Sequence, residues 1–246
     1  ISDCLVGSEM CIRDSYMSNA QDNLYIAYNN LDEYVENLLF ALKKKHPRYE
    51  EIGTERNGEY IQINDSIIQI ENEYYSSIRP KRIVGSGERP INVLREKGIE
   101  YVEVRCMDND PFDPLSLSSE TSYFLEAYLM TCLADESHIA SKEEIIEIQT
   151  NWQNVVKNGR NPDLKILLKG KEVPIKEAAQ AILEKINTYV ASISDQAIEL
   201  KANLSKTLKL QQRKIEDPNL TPSGKILKTL KENDSHWTEF NLEIVK

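Results

Sequence analysis

No stretch of this 246-residue sequence approaches the roughly 18 to 20 uninterrupted apolar residues that a membrane-spanning helix requires. Its start also lacks the basic-then-apolar layout of a secretory signal, so the expectation is a cytoplasmic protein with no membrane partner. Cysteine is scarce. Cys4, Cys11, Cys106 and Cys132 have neither the density of a secreted disulfide scaffold nor two paired C-x-x-C motifs for zinc, and reduced thiols are expected. The three histidines, His46, His138 and His236, lie far apart without metal-ligand spacing and are expected at the surface. Positive charge is in deficit: a formal net charge of -10 argues against nucleic acid or an anionic membrane as the main partner, leaving small molecules or other proteins. Repeats and low-complexity linkers are absent too. Against these lacks, a 40% hydrophobic content suffices for one large core or two modest ones.

Residues 1–15, ISDCLVGSEMCIRDS, carry no helical or strand period, and a strongly patterned segment follows at once. They resemble a translated sequencing adapter, with a disordered tail as the alternative. On either reading Cys4 and Cys11 stay outside any functional argument.

From Asn30, the residues Leu31, Tyr34, Val35, Leu38, Leu39 and Leu42 fall on one helical face, and the helix is expected to end near Lys45. Asn30 with Glu33 supplies its capping box. The period then changes to two, predicting antiparallel strands over 60–63 and 67–75 about an Asn64-Asp65 turn. In the second of these, Glu71, Glu73 and Tyr75 share the polar face. Residues 76–98 read as a loop, and a further strand covers 99–107 with Val102, Val104 and Cys106 facing a core and Tyr101, Glu103 and Arg105 facing the other way.

Beyond Pro114 the pattern is mainly helical. Ser118 or Ser119 caps a helix whose stripe is Phe124, Leu125, Tyr128, Leu129 and Cys132. A capping box of Ser141 and Glu144 opens the next, with Ile145, Ile148, Trp152 and Val155 as its buried stripe. Residues 164–168 are either strand or loop. Pro174 precedes a helix through Ile182, Ile186, Tyr189 and Ile193, a polar helix runs on to Asp217-Pro218, and Thr221-Pro222 starts a last one. The class is α+β.

Glu103 and Arg105, roughly 7 Å apart on one strand face, would set a cation ligand beside an anion receptor. Their attraction at that spacing is about 2 kcal/mol at an effective dielectric of about 20, which leaves each able to serve a different partner. A structural cross-strand salt bridge is the competing reading. Glu71 and Glu73 either add carboxylates for magnesium or line a solvated sheet face. Arg79-Pro80-Lys81-Arg82 either holds a phosphate or carboxylate or is a basic surface turn. Gly85-Ser86-Gly87-Glu88 is too short for a phosphate loop and reads as a flexible turn. Cys106 and Cys132 read as small core residues, and no hydrolase triad is present.

The string YIQINDSIIQIENEYYSSIRPKR, followed by GIEYVEVRCMDNDPF, closely resembles the proteobacterial type of glutamate–cysteine ligase, with weaker similarity over most of 16–230. The resemblance implies a glutamine-synthetase-like fold, in which an antiparallel sheet forms a funnel-shaped active site surrounded by helices. On that reading 16–246 is the later part of a ligase catalytic domain, with strands over about 60–107 and a mainly helical part over 115–246. The implied reaction has ATP phosphorylate the γ-carboxylate of L-glutamate and the L-cysteine amine displace phosphate, which is the first step of glutathione synthesis. Glu103 matches a family magnesium ligand and Arg105 the arginine beside the reacting phosphoryl group. Tyr75 and Tyr16 match tyrosines that help recognise the cysteine carboxylate. Most other Mg2+-binding carboxylates and much of the nucleotide and glutamate pocket belong to an earlier half that has no counterpart here, so this chain is expected to be inactive alone. A ligase for another amine acceptor and a non-catalytic module of the same fold are the alternatives. The oligomeric state is not legible.

Overall fold

The computed structural model describes residues 19–21, 24–74, 76–105, 107 and 109–233. The expected tail at 1–15 and the positions of Tyr16, Tyr75 and Cys106 lie outside them. The chain forms two compact units that divide between residues 106 and 107.

In the earlier unit, helix α1 (Leu31–Ala41) begins where the Asn30 side chain accepts from the Glu33 amide at 2.8 Å. This satisfies one of the orphan donors at a helix start. The buried face of α1, Tyr34, Val35, Leu38 and Ala41, packs with Leu24, Ile26, Ile68 and, from helix α3 (Pro90–Lys97), Ile91 and Leu94. The helix stops before the expected Lys45, because Lys44 and Lys45 leave it to pair. The Lys44 carbonyl accepts from the Ile67 amide at 2.8 Å, and Lys45 forms a bridge with Ser66. A short helix α2 (Pro47–Ile52) follows.

The first hairpin is displaced from its expected place. Strands β1 (Glu55–Arg56) and β2 (Glu59–Tyr60) pair about Asn57-Gly58, whose φ angles of 54° and 82° suit the two left-handed positions of a tight hairpin turn. Asn64 instead spends its side chain locally, accepting from the Ser66 amide at 2.9 Å and donating to the Gln69 carbonyl at 3.1 Å. The Gln69 amide in turn donates to the Glu73 carboxylate. Side chains thus take backbone groups that a ladder would need, and over the described residues of the expected 67–75 strand, 67–74, there are bends and a 3-10 turn at Glu71–Glu73 instead.

Within the expected loop at 76–98 lie α3 and strand β3 (Ile78–Lys81). The latter pairs antiparallel with β4 (Tyr101–Val104) in the register Ile78↔Val104, Arg79↔Glu103, Pro80↔Val102, Lys81↔Tyr101. β4 is shorter than the expected 99–107. Val102 is 45% exposed and Val104 only half-buried, so the face expected to meet a core is not packed away in this two-stranded pair.

The later unit is built on helices α4 (Ser119–Ala134), α6 (Ile175–Ser192) and α7 (Ile198–Glu216), which share a core of Phe124, Ala127, Leu183, Ile186, Val190, Leu204 and Leu208. Ser118 caps α4, whose buried face runs Thr121, Phe124, Ala127 and Thr131. That face is rotated one position from the expected stripe, so Cys132 is exposed rather than in the core. Helix α5 (Lys142–Asn158) opens on the expected capping box of Ser141 and Glu144. It docks on the hairpin of β5 (Lys165–Leu168) and β6 (Lys171–Pro174) through Asn151, whose amide bonds both backbone groups of Leu167, at 2.5 and 2.8 Å. Elsewhere on α5 Ile145 and Val156 are buried, whereas Ile148 and Trp152 on the same stripe are exposed, against expectation.

Helix α8 (Pro222–Glu232) starts where Thr221 Oγ1 accepts from the Gly224 amide at 3.1 Å. A Cβ on Gly224 would collide with the Pro218 carbonyl and stand only 2.7 Å from Asn219 Cα. Backbone cannot yield as a side chain does. Gly224→Ala is therefore expected to cost about 1–3 kcal/mol, read as a lower denaturation midpoint at unchanged slope. Unchanged stability would show that α8 does not sit as tightly as described.

Candidate active site

Alternation along β4 puts Glu103 and Arg105 on one side, and Arg79 and Lys81 of β3 come up on the same side through the antiparallel register. Two cations therefore contact one carboxylate, and Arg79, opposite Glu103 in the register, adds to the positive field around it. Arg105 approaches Glu103 with its fork, Nε donating to Oε2 at 3.0 Å and Nη2 to Oε1 at 3.4 Å. Lys81 Nζ reaches the same Oε2 at 3.6 Å. The Arg105 amide donates to the Ser77 carbonyl at 2.7 Å, which holds the chain beyond β4 against the start of β3.

The two residues thus contact each other directly instead of serving separate partners, and the cross-strand contact to Glu103 comes from Lys81. The hydrogen bond from Arg105 holds the Glu103 carboxyl below its ordinary range, with Lys81 and Arg79 adding to the effect and partial desolvation opposing it. Because the folded-state value is depressed, this contact adds stability above the ordinary carboxylate range. That contribution is lost as pH falls through the depressed value.

The remaining cations of the basic segment have separate duties. Arg79 is buried and donates Nη2 to the Glu71 carbonyl at 3.3 Å. Its guanidinium also lies beside Tyr34, whose hydroxyl burial pushes up to about 12, with Arg79 opposing the rise. Burial and the neighbouring Tyr28 hydroxyl, 3.5 Å away, likewise push the Tyr74 phenol upward. Arg82 donates to the carbonyls of Lys97 and Gly98 at 2.8 and 3.0 Å, capping the end of α3. The segment is therefore neither a single anion cradle nor a plain surface turn.

Glu71 lines no solvated face. It is buried and accepts from Arg89 Nε at 3.0 Å and from the Ile91 amide at 3.0 Å, so it serves as the anion at the start of α3, where Arg89 offers no side-chain cap. Glu73 is taken up by the Gln69 amide. Neither points to metal binding. Among the described residues, no three His, Cys, Asp or Glu side chains are grouped to hold a metal ion.

Glu103 does retain the capacity to act as one ligand. It is ionised and part-exposed, and a carboxylate offers about four lone-pair sites of which Arg105 occupies two. A magnesium ion needs only one or two carboxylates where substrate phosphates and waters complete the shell. Sequence reasoning placed Glu103 and Arg105 correctly on one face but missed Lys81 and Arg79 beside them. The available signal was the alternation of Arg79 and Lys81 about Pro80, a residue tolerated in edge strands.

The family model for glutamate–cysteine ligase matches residues 10–155. Relatives include the glutamate–cysteine ligases of Pseudomonas entomophila, 42% identical over 227 residues, and of a Janthinobacterium strain, 40% identical; each alignment covers 92% of this chain. The chain spans 42% and 43% of those relatives' lengths, respectively. Among solved structures, the glutamate–cysteine ligase of Francisella tularensis in complex with AMP superposes with a TM-score of 0.84 at 38% identity, covering 92% of this chain and 44% of that one. A bifunctional glutathione synthetase from Pasteurella multocida shares the fold at a TM-score of 0.54 and 14% identity. The α+β class and the antiparallel pairing expected of a glutamine-synthetase-like ligase are present. With the family model matching more than half of its residues, the chain belongs to the glutamate–cysteine ligase family.

Proposed function

We propose that this chain is the later part of an enzyme that joins the γ-carboxylate of L-glutamate to the amine of L-cysteine at the expense of ATP, in the cytoplasm. The observation that carries the reading is the β3–β4 face, where Arg105 and Lys81 contact Glu103 and Arg79 stands opposite it in the register, in a chain of this family. The AMP bound to the Francisella tularensis relative supports a nucleotide as co-substrate.

A carboxylate oxygen leaves poorly until it is phosphorylated, so the reaction calls for a γ-glutamyl phosphate. Stabilising the transferring phosphoryl group is then mainly electrostatic. In this reading Arg105 turns its planar fork from Glu103 to the phosphoryl oxygens, which it can hold in pairs. Lys81 keeps the local field positive while this happens. Glu103 would be one ligand of Mg2+, which when bound would neutralise phosphate charge. Tyr75 and Tyr16 would hydrogen-bond the cysteine carboxylate. Residues 1–15 contribute nothing to this chemistry.

The test is glutamate- and cysteine-dependent ADP release, with γ-glutamylcysteine identified by mass, in a protein completed to the relatives' length. Turnover is expected there and none from the 246-residue chain alone. A completed protein that preferred another amine would reject the substrate, and one with no turnover would reject the enzyme.

A further inference from the structure

The sequence contains two Asn-Gly steps, Asn57-Gly58 and Asn158-Gly159, each preceded by a basic residue, Arg56 and Lys157. Their local chemistry is alike, and their structural settings differ. Asn57 and Gly58 form the tip of the β1–β2 hairpin, both exposed and both at positive φ. Among the described residues, neither the Asn57 side chain nor the Gly58 amide has a hydrogen-bond partner. Two residue pairs, Glu55↔Tyr60 and Arg56↔Glu59, and one bond from the Ile61 amide to the Thr54 carbonyl close the ladder behind them. A two-stranded hairpin of this kind is marginally stable, so its tip opens at little cost in free energy.

Asn158 is the last residue of the 17-residue helix α5. The Gly159 amide donates to the Val155 carbonyl at 2.8 Å, and the Asn158 carbonyl accepts from the Asn161 amide at 2.8 Å. Gly159 keeps the right-handed helical conformation, with φ -57° and ψ -20°. Arg160 then anchors the helix end, donating Nη1 to the Pro218 carbonyl at 3.3 Å and Nη2 to Asn219 Oδ1 at 3.1 Å. The glycine nitrogen is thus committed to the helix, and the end that carries it is held against fraying.

We propose that Asn57 is a site of spontaneous covalent modification, losing its side-chain amide through a cyclic imide, and that the fold protects Asn158 from the same reaction. The Gly58 amide nitrogen gives its proton to hydroxide or water and attacks Asn57 Cγ. The new N–Cγ bond closes a five-membered ring while the Cγ–Nδ2 bond breaks, and ammonia leaves with a proton from solvent. Water then opens the ring at either carbonyl, giving aspartate, or isoaspartate with the main chain running through Cβ. No oxidant or reductant is needed. Glycine favours the attack because it has no Cβ to obstruct its nitrogen. Each product adds a negative charge, and isoaspartate also lengthens a turn whose two residues match the twist of the strands. The inference does not depend on the ligase reading.

The test is to incubate the 246-residue chain at mildly alkaline pH, folded and in urea, and to localise the gain of one mass unit by peptide fragmentation. In the folded protein Asn57 is expected to change at least about tenfold faster than Asn158, equivalent to about 1.4 kcal/mol in the free energy of local opening. In urea the two rates should converge. An isoaspartyl methyltransferase supplied with labelled S-adenosylmethionine should label the Asn57 peptide from the folded sample. Equal or faster change at Asn158 in the folded protein, the same preference for Asn57 in urea, or no mass gain at Asn57 in the folded protein would each overturn the proposal.

Discussion

Arg105→Lys, in a protein completed to the relatives' length, is expected to slow γ-glutamylcysteine formation about a hundredfold, equivalent to about 3 kcal/mol of transition-state stabilisation. The substitution keeps the charge but removes the fork that meets Glu103 through Nε and Nη2 and that would meet two phosphoryl oxygens. Added magnesium should not restore the rate. Glu103→Gln should behave differently, since it keeps the size and removes the charge. Its loss should be partly recovered at high magnesium. The direct contact between these side chains makes a purely structural role the rival, and thermal stability separates the two. If both variants kept near-normal turnover while melting earlier, the pair would be a strand-face salt bridge and no more.

The second large effect falls on stability. Glu71→Ala should destabilise the earlier unit by about 3 kcal/mol, because it strands the buried Ile91 amide and breaks a charge-assisted contact with Arg89. Arg89 itself is 60% exposed and can return to water, so the penalty lies mainly at the start of α3. For a chain of this size the melting temperature should drop by roughly 6–12 °C. Hydrogen exchange should accelerate first in α3. Glu71→Gln should lose less, as its amide oxygen can still accept from Ile91. A Glu71→Ala protein with full stability would show that the carboxylate is held for chemistry rather than for the fold.

Helix positions were legible because their signals are local. Asn30, Ser118, Ser141 and Thr221 cap the helices they were expected to cap. Which positions a helix buries was less so: Cys132 lies one step around from the face that Thr131 marks, and Ile148 and Trp152 share a helical face with the buried Ile145 and Val156 yet remain exposed. Neighbouring elements decide that choice, and periodicity cannot name the neighbour. The strand reading failed at 67–75 because Ile67 to Ile70 alternate as a strand would, while Glu71 is drawn to the far-off Arg89 and Ile91. At the site, two residues on one strand could be paired by counting. Adding Lys81 and Arg79 required a partner strand hidden by Pro80.

The Asn57-Gly58 hairpin supplies a practical handle. Residues 55–61 are all exposed, and nothing lies within 4 Å of a Cβ placed on Gly58. Loop tips of this kind accept inserted sequence most readily, so a fluorophore-binding tag or a protease site can be spliced there without disturbing the packing around α1. Such a graft would report on the earlier unit while leaving the β3–β4 face untouched.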